Sequence, residues 1–175
     1  RMEALHAWHE FYLLLGTAGA TLLALLFVAV SLGTGFLNAK DPSGTRTFMS
    51  PVVIHFTSVF FVSAVCLVPS HGPVFFAVLI GATAVLGVVV SIVITVLVVR
   101  TTMTQYVPDY FAYGALPVAA YLAMLAAAIM ILKGLDYAPE VLAGVMLLLA
   151  IVNIRNAWDL TLSMVRRHAR ERPSP

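Results

Sequence analysis

Charge is what this sequence has least of. Asp, Glu, Lys and Arg make up 10% of its 175 residues, where a soluble domain carries about a quarter. The deficit argues against a water-soluble fold, because 61% of the chain is hydrophobic and a soluble domain of this size could not keep that much apolar surface from water. A lipid bilayer can. Cysteine is nearly missing as well. Cys66 stands alone inside an apolar run, so no intrachain disulfide can form, and the residue reads as a small core side chain. The chemistry-bearing motifs are also missing. There is no GxGxxG or P-loop fingerprint, no HExxH pair, no zinc-ligand spacing and no serine in a nucleophile elbow. No two aspartates share an apolar run, and Cys66 has no basic neighbour in sequence. The expectation is a protein without catalytic residues or cofactor, hence not an enzyme. Nothing points to nucleic acid. The net charge of +2 says little, and the basic residues matter by position rather than by sum.

What is present is a succession of long apolar runs. They predict an all-α, polytopic transmembrane helix bundle in a single domain over residues 1–175, with five membrane spans at about 11–36, 51–68, 73–99, 111–132 and 140–165. The first run is too long for a signal-peptide core and lacks a basic lead-in, so it reads as a retained helix. Ser50 followed by Pro51 predicts the start of the second span, as an N-cap with proline in the first turn. Pro117 lies within the fourth span and predicts a bend, since it cannot donate to the Tyr113 carbonyl. Two small-residue ridges, Gly16–Ala20–Ala24 and Ala119–Ala123–Ala127, invite close helix approach. The third run is rich in Val and Ile. It neither alternates nor stops near the roughly ten residues of a barrel strand, so a β reading fails.

Five spans put Lys40, Arg46, Arg100, Arg166, Arg167, Arg170 and Arg172 on one face, and only Arg1 and Lys133 on the other. The positive-inside rule then places the N-terminus outside and the basic tail, residues 166–175, in the cytoplasm. That orientation gives depth to the polar residues of the last span. Asn153, Arg155, Asn156 and Asp159 fall in its cytoplasmic half, and His55, about one turn into the second span, falls at a similar level. Two readings stay open for this set. One is a binding or pore-lining polar cluster at a cytoplasmic mouth, with His55 as its titrating member because free imidazole titrates near pH 6.5, in rough terms. The other is structural: Arg155 pairs with Asp159 four residues on, and the asparagines hold helices together. Trp158 falls outside the polar arc and suits the headgroup level. A second, weaker set of His6, His9, Glu10 and His71, with Asp136 and Glu140 nearby, gathers on the outer face. It offers metal-ligating residue types without a recognised ligand spacing, and a solvated rim beside short turns is the favoured reading.

Three short stretches carry a resemblance: Trp8-His9-Glu10-Phe11-Tyr12, Arg46-Thr47-Phe48 and Ile154-Arg155-Asn156-Ala157-Trp158-Asp159. In these the chain resembles a group of small bacterial integral membrane proteins of uncharacterised activity, with a WH-[DE]-FY opening and an IRNAWD-like closing. The resemblance spans nearly the whole chain. It implies residence in a bacterial inner membrane and supplies no activity. The residues themselves leave three functions in order. The first is a homo-oligomeric, channel-like conduit lined by polar side chains repeated through symmetry. Next is a non-catalytic accessory or assembly subunit of a larger membrane complex. A small transporter comes last, since no internal repeat is visible. The expected partners are the lipid bilayer, further copies of the chain and a larger complex.

Overall fold

The computed structural model describes residues 7–34, 42–69, 72–101 and 114–171. These residues form five helices: α1 (His9–Thr34), α2 (Pro42–Leu67), α3 (Pro73–Thr101), α4 (Leu116–Lys133) and α5 (Ala138–Glu171). Four of them contain segments long and apolar enough to cross a membrane, namely His9–Ala29, Pro73–Val96, Leu116–Lys133 and Ala138–Asp159. The described apolar part of α2 is Pro51–Leu67; the first nine residues of that helix, from Pro42 to Ser50, are largely polar in sequence.

Two prolines depart from their sequence reading. Pro51 does not open α2; it lies inside a helix that begins at Pro42. Pro42 already supplies a first-turn proline, so the helix starts there and tolerates the loss of one backbone bond at Pro51. Pro117 stands at a change of helical winding. It occupies the opening turn of α4, following a widened helical turn at 114–115. A missing N–H costs little in a first turn, where that donor has no partner within the helix.

The helices pack in a closed circuit, α2 on α3, α3 on α4, α4 on α5, and α5 back on α2, with α1 laid against α2 and touching α5. Neighbours run antiparallel. Gly16 faces Ser63 while Gly19 faces Val59, and Gly81 faces Ala128 while Gly114 faces Thr95. The α4–α5 hairpin is set by Gly134, whose φ of 66° lies in the left-handed region. Its N–H donates to the Ile131 carbonyl and that of Leu135 to Met130, both at 3.0 Å, closing the helix end as a Schellman motif.

The core runs up the middle of the circuit through Phe56, Val59, Phe76, Ile80, Met124, Leu142, Met146 and Leu149. Leu14, Leu86, Ile151 and Trp158 point outward, as side chains facing lipid tails do. α1 is peripheral: 17% of its most apolar window is buried, against 50% for α5. It is held through the buried Tyr12, whose hydroxyl donates to the Pro139 carbonyl at 3.3 Å, and through Gly16. The small-residue ridges are used only in part. Gly16 is buried but Ala24 is exposed; Ala127 is buried but Ala119 is exposed. On α4 the packed face passes instead through Ala120, Met124, Ala127 and Ala128.

Candidate functional site

A chain of polar side chains crosses the centre of the four-helix circuit. α2 and α4 sit on opposite sides of it, and His55, Ser58 and Tyr121 span the gap. His55 Nδ1 lies 2.9 Å from Tyr121 Oη. Tyr121 Oη donates to Ser58 Oγ at 3.0 Å, and Ser58 Oγ donates to the Ile54 carbonyl at 2.9 Å. A tyrosine hydroxyl has one proton. With that proton directed to Ser58, the bond to Tyr121 calls for a proton on His55 Nδ1, an arrangement that the neutral Nδ1–H tautomer satisfies with a lone pair on Nε2. His55 and Tyr121 are 1% and 0% exposed, which leaves the chain shielded from both water and lipid.

Tyr121 reaches this position because of a glycine on α3. A Cβ at Gly87 would overlap the Tyr121 ring, so the bare backbone of α3 forms the wall on which the ring lies. One turn further along the same buried face of α3 is Ser91, fully buried. α5 completes the layer. Asn153 is buried, and its Nδ2 donates to the Val52 carbonyl at 2.8 Å, one turn before His55 on α2. Asn156 is buried beside it, one turn further along α5. Besides Tyr12 and Tyr121, the buried polar side chains among the described residues are His55, Ser58, Ser63, Ser91, Asn153 and Asn156, so the described residues bring no carboxylate, lysine or arginine to the layer.

α5 therefore divides the polar residues expected to act together. Asn153 and Asn156 turn into the bundle and share the layer of His55. Arg155 and Asp159 turn outward. Their side chains are 51% and 40% exposed, and Arg155 Nε lies 3.9 Å from Asp159 Oδ2. Trp158 lies on the same outward side, 63% exposed. On the opposite membrane face His9, Glu10, Asp136 and Glu140 are exposed, and no group of three or more metal-ligating side chains occurs among the described residues. His6 and His71 lie outside those residues.

Sequence reasoning missed Tyr121, Ser58, Ser91 and Gly87. The signal for Tyr121 was present, as the lone polar tip in the apolar run of Leu116–Leu132. Gly87 and Ser91 likewise interrupt a run of Val and Ile, and share one helix face by their four-residue spacing. No family model, no curated protein and no solved structure matches this chain.

Proposed function

We propose that this chain is a five-span protein of the bacterial inner membrane that acts as a homo-oligomeric, channel-like conduit, with its N-terminus outside and its basic tail in the cytoplasm. The observation that carries the reading is the hydrogen-bonded chain His55–Tyr121–Ser58 across the middle of an apolar bundle. Polar side chains at such a place are costly, and in membrane proteins they mark pathways for ions, protons or polar solutes. Because these groups converge inside the circuit, each copy carries its own polar path. His55, Asn153 and Asn156 form the inner lining, and Arg155 and Asp159 stand at the cytoplasmic rim. Five spans follow if the polar first turns of α2 extend its apolar part, Pro51–Leu67, into the headgroup layer. The resemblance to bacterial membrane proteins and the basic residues of the 37–50 loop and the tail support the compartment and orientation.

Purified protein reconstituted in liposomes tests the proposal, with flux of protons, ammonium, alkali cations and chloride followed by dye quenching. Tyr121→Phe breaks the polar chain at near-constant volume, and Arg155→Ala removes the rim cation. Expected are flux of at least one species, a several-fold loss in the first variant and a smaller change in selectivity in the second. Absence of flux for all of them sinks the conduit.

An accessory subunit of a larger complex is the second reading. It is favoured by the peripheral α1, which leaves a wide apolar face over Leu14, Leu25 and Phe27. Solubilisation in mild detergent followed by affinity capture should then recover a stoichiometric partner protein, and recovery of this chain alone argues against it.

A further inference from the structure

The polar layer is unbalanced in a way that specifies what it can bind. His55 Nε2, Ser91 Oγ and Asn153 Oδ1 are buried without a hydrogen-bond partner among the described residues. Their chemistry is fixed by the bonds around them. Tyr121 and Ser58 direct their protons along the chain to Ile54, which calls for a proton on His55 Nδ1, and in the neutral imidazole that leaves Nε2 an acceptor. Asn153 must turn its amide nitrogen to the Val52 carbonyl, because the opposite flip would set two carbonyl oxygens against each other. Its Oδ1 is therefore also an acceptor. The Ser91 hydroxyl can accept as well as donate.

Helix registers place the three groups close in depth. Asn153 lies level with Val52, three residues, about 4.5 Å of helix rise, from His55. Tyr121 touches both His55 and Gly87, and Ser91 is one turn, about 6 Å, beyond Gly87. α2 and α3 run antiparallel, so the step from Gly87 to Ser91 goes the same way as the step from His55 to Val52. Ser91 thus falls at the level of Asn153. Buried polar groups in native proteins are almost always satisfied, and each that lacks a protein partner calls for a bound molecule or ion. Two neutral acceptors and a hydroxyl are unsuited to an anion, and with no carboxylate among the described residues of the layer they are equally unsuited to a divalent cation. It fits a species that brings its own N–H or O–H groups.

We infer that the layer bounded by His55 Nε2, Ser91 Oγ and Asn153 Oδ1 is a binding site for a small hydrogen-bond donor, water or ammonium, held by the acceptors of His55 and Asn153 and by the Ser91 hydroxyl. Water and ammonium share this donor chemistry and differ in charge. The buried Asn156 lies one turn further along α5, on the approach from the cytoplasmic rim. The inference deepens the conduit reading and rests on it only for what passes through; occupancy of the site can be read without any transport.

Nitrogen NMR of full-length protein labelled at histidine, in lipid bilayers, tests it, with the His55 signals assigned by their loss in His55→Gln. Expected is the Nδ1–H tautomer, with Nε2 unprotonated and accepting a hydrogen bond. Ammonium chloride is then titrated against sodium chloride at equal ionic strength. A saturable shift of Nε2 identifies ammonium as the occupant. No shift, together with a magnetisation-transfer contact from water to Nε2, identifies water. In Ser91→Ala/Asn153→Leu either response is lost while the Nδ1 signal stays in place, which also reports that the bundle is still folded. An Nε2–H tautomer, or neither response in the wild-type protein, overturns the inference. A response without flux in liposomes keeps the site and removes the conduit; flux without a response does the reverse.

Discussion

Asn156 and Arg155 are adjacent in sequence and opposite in fate. Asn153 and Asn156 are buried, Asn153 against α2, while Arg155 and Asp159, from the same two turns, stand at the periphery beside Trp158. The two sets differ in what a mutation should disturb. Inside, His55, Ser58, Tyr121 and Asn153 are tied by directional bonds, most of them across helices, while His55 Nε2, Ser91 Oγ and Asn153 Oδ1 have no partner among the described residues. Outside, the two charges are exposed and lie 3.9 Å apart, with no other ion pair among the described residues. One stretch thus contributes both an internal polar layer and an external rim, and the protein's organisation turns on which of them carries weight.

The sharpest way to break that contrast is at the centre of the inner layer. Tyr121→Ala removes a fully buried ring and should cost on the order of 3–5 kcal/mol, as deletion of a large core side chain does. Leu122→Ala, one residue on and 51% exposed, is the control and should change little. Equilibrium unfolding in mixed micelles reads both; equal losses would mean that Tyr121 is not packed as described. Next in size is Gly87→Ala. The added methyl would overlap the Tyr121 ring, and overpacking of this kind costs about 1–3 kcal/mol. Its cost should fall sharply in a Tyr121→Ala background, where the ring is gone. Additive losses in that double-mutant cycle would show that Gly87 is needed for some other reason. Asn153→Leu is smaller. It keeps the branching at Cγ in a somewhat larger side chain and removes the bond to the Val52 carbonyl. Interhelical hydrogen bonds in membranes average about 0.6 kcal/mol and reach about 1.7, so the loss should fall in that range. A neutral or stabilising outcome would place the value of Asn153 in binding rather than in structure.

Depth along a membrane helix is readable from sequence; direction around it is much less so. The level shared by His55 and Asn153 follows from counting residues in antiparallel spans, and in the fold Asn153 bonds to Val52, one turn from His55. Direction depends on which neighbour each helix acquires. At roughly 100° per residue, Asn153, Asn156, Arg155 and Asp159 fill an arc too broad to say which edge faces inward. The ridge on α4 shows the same limit. Ala119 and Ala120 are equally small, and packing alone selects Ala120. The prolines were ambiguous for a different reason. Pro51 and Pro117 suit a first turn or an interior position according to where the preceding residues begin their helix, which local composition does not decide. Tyr121 and Gly87 are each plain in the sequence, but only the register of α3 against α4 makes them partners.

The smallest expected effect is also the one that tests the outer side. Arg155→Ala removes one member of a pair that is half exposed and 3.9 Å apart. Such pairs contribute about 0–1 kcal/mol, and salt screening reduces that further. The variant should unfold within about 0.5 kcal/mol of the wild type, with a difference that shrinks as salt is raised from low to moderate concentration. The stem of Arg155 also covers some apolar helix surface, a contribution that salt does not touch, so a small salt-independent remainder fits the same picture. A loss well above 1 kcal/mol that persists in high salt would be incompatible with an exposed rim. It would mean that Arg155 and Asp159 are enclosed by another protein surface in the membrane, and the division between an inner layer and an outer rim would have to be redrawn around that contact.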